Sequence, residues 1–162
     1  MLSPATSAYD YVLALHIIAV VVAFGWTFTL PLVYTVATKV DPRSLPVLHR
    51  IEYTISRVVA NPALLVIIVA GIFLASDGHH WKEFFVQWGL GVAILIGALL
   101  GAILIPTAKR AEEAVRRDLE GFTGGSFQPG AEYMAAARRL NIVGSAASLL
   151  VLITIVIMAV KP

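Results

Sequence analysis

Four apolar stretches, 11–36, 58–76, 85–106 and 141–160, constrain this chain more than anything else in it. Each holds about 20 residues, enough for a helix to cross a hydrocarbon layer roughly 30 Å thick. Inside that layer no water satisfies backbone N–H and C=O groups, so a spanning segment of this kind must be helical. The expected fold is therefore all-α: a polytopic integral membrane four-helix bundle, forming a single domain over 1–162. Composition agrees, since 59% of residues are hydrophobic and 14% are charged, with a mean hydropathy of +0.85; a soluble domain carries about 25% charged residues.

The charges that are present set an orientation. Lys39, Arg43, Arg50 and Arg57 flank the first loop, and Lys109, Arg110, Arg116, Arg117, Arg138 and Arg139 flank the third, so ten of the twelve Lys and Arg lie on one side. Only Lys82 and Lys161 fall on the other. Cytoplasmic loops retain positive charge, which puts both termini and the loop around His79 outside, an N-out/C-out bundle in a bacterial inner membrane. The pI of about 9.1 is then a topology signal and requires no nucleic-acid partner. An alternative role for Arg116, Arg117, Arg138 and Arg139 is to hold anionic lipid headgroups or a partner protein. Residues 1–10 contain no Lys or Arg and no clear cleavage site follows them, so the first helix is expected to stay in the mature protein.

Local signals refine the spans. Asp10 suits a helix cap, and Pro31 should bend the last turn of the first span. In the second, helical periodicity begins near Pro46, and Asn61-Pro62 marks a kink. Trp81, Phe84, Phe85 and Trp88 form an interfacial aromatic cluster ahead of the third. Segments 108–120 and 131–140 read as polar helical extensions joined by a Gly-rich turn over 121–130, a protruding cytoplasmic hairpin between helices 3 and 4. Gly89, Ala93, Gly97 and Gly101 form a small-residue seam, expected to meet Asn141, Gly144, Ser145 and Ser148 of the fourth span or, alternatively, a second copy in a homodimer.

Cysteine is absent, which excludes disulfides, thiolate metal sites, iron–sulfur clusters and cysteine nucleophiles. No nucleotide loop, HExxH helix or nucleophile elbow is present, and no catalytic residue is identified. Remaining chemistry falls to histidine and its neighbours. His16 lies two turns inside the first span, where an ionisable group is costly unless it faces the bundle interior, on a stripe with Ala23, Thr27 and Tyr34. It is a candidate ligand for haem iron or copper; the alternative is a structural histidine bonded to a Ser or Asn of the fourth span. His79 and His80, beside Asp77 and Glu83, are candidate external metal ligands, or else a solvated interfacial pair. His49, Glu52, Tyr53 and Ser56 share one helical face at the entrance to the second span, with Arg50 and Arg57 on another. That region is a candidate cofactor site for a porphyrin propionate, a phosphate headgroup or a metal, or else an interfacial anchor. His16 and His49 differ too much in depth to share one iron.

Leu13-Ala14-Leu15-His16-Ile17-Ile18, then Gly25-Trp26, Asn61-Pro62 and Gly71-Ile72 resemble an uncharacterised bacterial four-helix integral membrane family. That family is distantly similar to the copper resistance D proteins and to the small membrane protoporphyrinogen oxidase, which share an early leucine–histidine motif. The resemblance implies a haem or copper role for His16 alone. The chain has no second intramembrane histidine and no intramembrane lysine, so no oxidase residue carries over to His49, Arg50 or Arg57. Three roles follow as expectations: a haem-, porphyrin- or copper-binding redox or metal-handling protein, an accessory or scaffold subunit of a larger membrane complex, or a small dimeric transporter.

Overall fold

A computed structural model describes residues 7–161, and every regular element among them is helical. Four long helices, Ala8–Val40, Pro42–Asp77, Phe84–Glu120 and Ala131–Val160, are long and apolar enough to cross a membrane. Each of the first three is interrupted by one non-α turn. This gives α1 (Ala8–Phe24), α2 (Leu30–Val40), α3 (Leu45–Ile55), α4 (Asn61–Asp77), α5 (Phe84–Leu99), α6 (Ile105–Glu120) and α7 (Ala131–Val160).

The start of α1 is fixed by Ser7, not Asp10. Asp10 donates its backbone N–H to Ser7 Oγ at 3.3 Å, and its carboxylate accepts the Ser7 N–H at 2.8 Å. Asp10 is thus the third residue of a reciprocal capping box.

Proline explains the interruptions. Pro31, Pro62 and Pro106 each follow an irregular turn: a 3₁₀ turn at Gly25–Phe28, and π turns at Ser56–Ala60 and Leu100–Leu104. Proline has no N–H, and its ring crowds the carbonyl four residues back, so the preceding turn tightens or widens while the helix continues. Side chains take up carbonyls at the first break: Thr27 Oγ1 donates to Phe24 O at 2.7 Å, Thr29 Oγ1 to Trp26 O at 2.8 Å and Trp26 Nε1 to Ala23 O at 3.0 Å. In an apolar medium those groups have no water to turn to. The expected bend at Pro31 is therefore this upstream turn, and α2 continues to Val40.

The third helix has 37 residues, about 55 Å at 1.5 Å per residue, well beyond the roughly 30 Å of a hydrocarbon core. Pro106 therefore does not end it. The extra length is α6, whose Ala108, Ala111 and Val115 recur at helical spacing and are buried against α3 and α7.

Two apolar clusters result. One, among the spanning segments, contains Ala19, Ala23, Leu64, Ile67, Val92, Ile96 and Val151. The other, at the end rich in Lys and Arg, contains Leu45, Ala108, Ala111, Ala114, Val115, Tyr133 and Leu140. The glycine seam is divided between neighbours. A Cβ on Gly89 would collide with Met158 of α7, one on Gly97 would meet Leu64 Cδ2 of α4 at 3.2 Å, and Gly101 faces open space. On the fourth helix Gly144 is also open, and Ser148 Oγ donates to Thr27 Oγ1 of the first helix at 3.3 Å. The expected continuous pairing of helices 3 and 4 is thus a contact of each with several helices.

Candidate functional site

His16 is half-buried on α1 and reaches α4, where its Nδ1 lies 3.0 Å from Ile67 O. A carbonyl only accepts, so Nδ1 carries the proton and the neutral ring keeps its lone pair on Nε2. The partner is a backbone carbonyl of the second helix, in place of the expected Ser or Asn of the fourth. Gly71, one turn on, lies beside the ring; a Cβ there would sit 3.5 Å from Cε1, an ordinary contact. Among the described residues Nε2 has no hydrogen-bond partner, while every buried side-chain N or O has one. Nε2 is therefore not sealed inside the bundle.

The second grouping stands at the basic end. His49 is 1% exposed, Glu52 8% and Ser56 5%, so the polar face foreseen on α3 turns into protein and not toward a lipid interface. Tyr34 of α2 and Tyr133 of α7 complete it. Tyr34 donates its hydroxyl proton to Glu52 Oε2, and its oxygen lies 3.0 Å from His49 Nδ1. With that proton committed to the carboxylate, the Tyr34 oxygen accepts from His49 Nδ1–H. On the far side of the imidazole, Nε2 is 3.3 Å from Tyr133 Oη. The Tyr34 ring stacks on His49 with centroids 4.6 Å apart, and Tyr133 meets it edge-on at 5.6 Å. Tyr133 precedes the apolar part of α7; burial, then the Glu52 and Asp118 carboxylates, push its phenol up to about 12, so it keeps its proton at neutral pH.

Arg50 and Arg57 are not drawn into this grouping. Arg50 reaches across to Glu112 of α6 at 3.6 Å, and Arg57 Nη1 donates to Tyr53 Oη at 2.9 Å. The candidate cofactor residues His49, Arg50, Glu52 and Arg57 therefore separate into an inward pair and two outward arginines. An open cleft of about 580 Å³ lies beside Arg50, lined also by Lys109, Glu112, Glu113, Arg116 and Arg117. Its charges are mutually paired: Arg116 with Glu112 at 2.5 Å and Lys109 with Glu113 at 3.9 Å.

His79 and His80 diverge. His79, two residues beyond α4, has a left-handed φ of 58° and donates Nδ1–H to Asp77 O at 3.1 Å. His80 folds back over Gly78, its ring 5.8 Å from that of Phe85. Among the described residues no three His, Asp or Glu side chains stand close enough to hold a metal ion, so His16, His79 and His80 do not form one centre.

Sequence reasoning singled out His49 and Glu52 on one helical face but not Tyr34 and Tyr133, which the fold brings to them. The only advance signal was Tyr34 on the His16 stripe, one turn from the basic end of the first span. Comparison with family models, with curated proteins and with solved structures finds no match to this chain.

Proposed function

We propose that this chain is a multi-pass protein of a bacterial inner membrane that carries a haem through His16 and serves a redox or porphyrin-handling role. The observation that supports it is the His16 hydrogen bond: Nδ1–H is held by Ile67 O at 3.0 Å, leaving the Nε2 lone pair without a partner among the described residues. Metal-ligating histidines ordinarily donate their other N–H to a carbonyl or carboxylate in this way. The donor set favours iron porphyrin over bare copper. A porphyrin brings its own four nitrogens and needs one axial imidazole, whereas copper needs several protein ligands that the described residues do not assemble. When bound, haem would supply one-electron chemistry.

On this reading the Lys- and Arg-rich end is cytoplasmic, the paired α6 and the start of α7 protrude there, and His16 sits in the outer leaflet. The resemblance at Leu15-His16 to the copper resistance D proteins and the membrane protoporphyrinogen oxidase points the same way.

The test is an oxidised and reduced absorption spectrum, with metal analysis, of detergent-purified protein expressed with haem and copper available. The expected result is a Soret band that is lost in His16→Ala and returns when imidazole is added. Stoichiometric copper without a Soret band would replace haem with copper in this reading. Neither signal would overturn it and leave the accessory-subunit and transporter readings.

A further inference from the structure

The grouping around His49 contains a buried carboxylate without a fixed countercharge. Among the described residues no Lys or Arg nitrogen lies within 4.0 Å of Glu52; its one basic neighbour is His49, at 3.4 Å. Every other charged group packed nearby is committed elsewhere. On α3 itself Arg50 faces Glu112 and Arg57 faces Tyr53. From α6, Glu112 is held by Arg50 and Arg116, while Asp118 accepts the Gly130 N–H at 2.8 Å. From α2 and α7 come only the neutral phenols of Tyr34 and Tyr133.

Burial disfavours a lone charge on either Glu52 or His49, so the two are most stable as a unit of zero net charge. That unit holds one dissociable proton, either on the imidazole as an ion pair or on the carboxyl with both groups neutral. Tyr34 bridges the two sites, bonded to each. Transfer balances along this bridge. The His49 Nδ1–H bond breaks as a Tyr34 O–H forms, and the original Tyr34 O–H breaks as Glu52 gains its proton. Imidazolium and carboxylate become imidazole and carboxylic acid, and Tyr34 ends as it began. Tyr133 at His49 Nε2 continues the line toward the polar start of α7: it accepts from the Nε2–H that the ring keeps through this transfer, and donates only to a ring whose Nε2 has given up its proton.

We infer that His49, Tyr34 and Glu52 form a proton-storing site at the basic end of the bundle, loaded and emptied one proton at a time through Tyr133. Its ligand is the proton, and the site stands whether or not His16 carries haem. Tyr34 and Tyr133 are positioning residues that carry the proton between the two that keep it.

Infrared difference spectra of the full chain in lipid nanodiscs test this, taken between about pH 5 and about pH 8, the range in which imidazole titrates. The expected spectrum contains a carboxylic-acid band that disappears in Glu52→Gln, with imidazole changes that disappear in His49→Gln. Tyr34→Phe and Tyr133→Phe keep the ring packing and remove one link each. In both, deuterium should exchange into the carboxyl band about tenfold more slowly, the rate equivalent of one lost hydrogen bond. An unchanged band in Glu52→Gln overturns the storage site. Should Glu52→Gln not fold, the two phenylalanine variants decide: exchange at the wild-type rate in both overturns the relay. His16→Ala, assayed alongside, should leave every one of these signals in place.

Discussion

The spanning and basic ends of this bundle both bury apolar residues but expose opposite kinds: apolar side chains at one, arginines at the other. In the most apolar stretch of α7 only 6% of residues are buried, and Ile17, Ile18, Val21 and Val156 all point outward. Beside the apolar cluster of Leu64, Ile67, Val92, Ile96 and Val151, polar and small contacts tie the spans together there: His16 to Ile67 O, Ser148 to Thr27, Trp88 Nε1 to Thr154 Oγ1 at 3.1 Å, and Ala19 and Ala23 against α4. At the basic end the ordinary rule of water-soluble proteins returns. There α6 exposes its arginines and buries Ala108, Ala111, Ala114 and Val115 against Leu45. Lipid gives apolar side chains little drive to go inside, so many stay on the outer face of the spans, and polar or small side chains are favoured where backbones meet. With water as solvent, the face that α6 buries is set mainly by hydrophobicity.

The sharpest way to break this comparison is to remove one leucine from each end. Leu45 is fully buried and Leu149 is 59% exposed. Leu45→Ala should cost about 2–5 kcal/mol, a lost transfer term plus a cavity. Leu149→Ala, on an exposed apolar surface, should stay within about 0.5 kcal/mol. Unfolding both in the same detergent by denaturant titration gives the two numbers directly. Comparable losses would mean that the outer face of α7 is covered by a partner and that the spanning end is incomplete in one copy.

Solvent also decides what could be read in advance. The four spans were legible because hydrophobic length needs no knowledge of partners. The polar face of His49, Glu52 and Ser56 was legible because helical spacing alone creates it. The polar extension over 108–120 was legible from its helical pattern, but not how the chain joins it to the span: the helix continues through Pro106 by widening one turn at Leu100–Leu104. The Ile67 carbonyl was invisible as the partner of His16, since a backbone acceptor leaves no trace in residue identity. Tyr34 and Tyr133 stand 15 and 84 residues from His49, and only the packing of α2 and α7 onto α3 brings them to it.

The glycine seam sharpens the comparison at smaller scale, because spacing alone could not say which glycine meets which helix. Gly101 faces open space, so Gly101→Ala should stabilise the protein by about 0.5–1 kcal/mol, the ordinary gain of alanine over glycine in a helix. Gly97→Ala should lose that gain, since its Cβ would press on Leu64 Cδ2 at 3.2 Å. Thermal unfolding at two protein concentrations reads both. A loss at Gly101 that shrinks as protein is diluted would reveal a second copy packed on the seam.

The smallest expected effect lies in the loop that closes α4, away from both clusters. His79 holds a φ of 58°, a conformation that costs an L residue about 1–2 kcal/mol through crowding of its Cβ. Glycine removes that crowding but loses more backbone freedom on folding, worth about 0.5–1 kcal/mol in the other direction. The exposed bond from His79 Nδ1 to Asp77 O adds little, because water replaces it. His79→Gly should therefore raise stability by about 0.5 kcal/mol, measured by thermal unfolding in metal-free buffer. The same measurement with added zinc asks whether the imidazole does more than turn the chain. If His79→Gly is destabilising, or if zinc stabilises the wild type and not the variant, His79 is kept for its ring, and the strained backbone serves to present it.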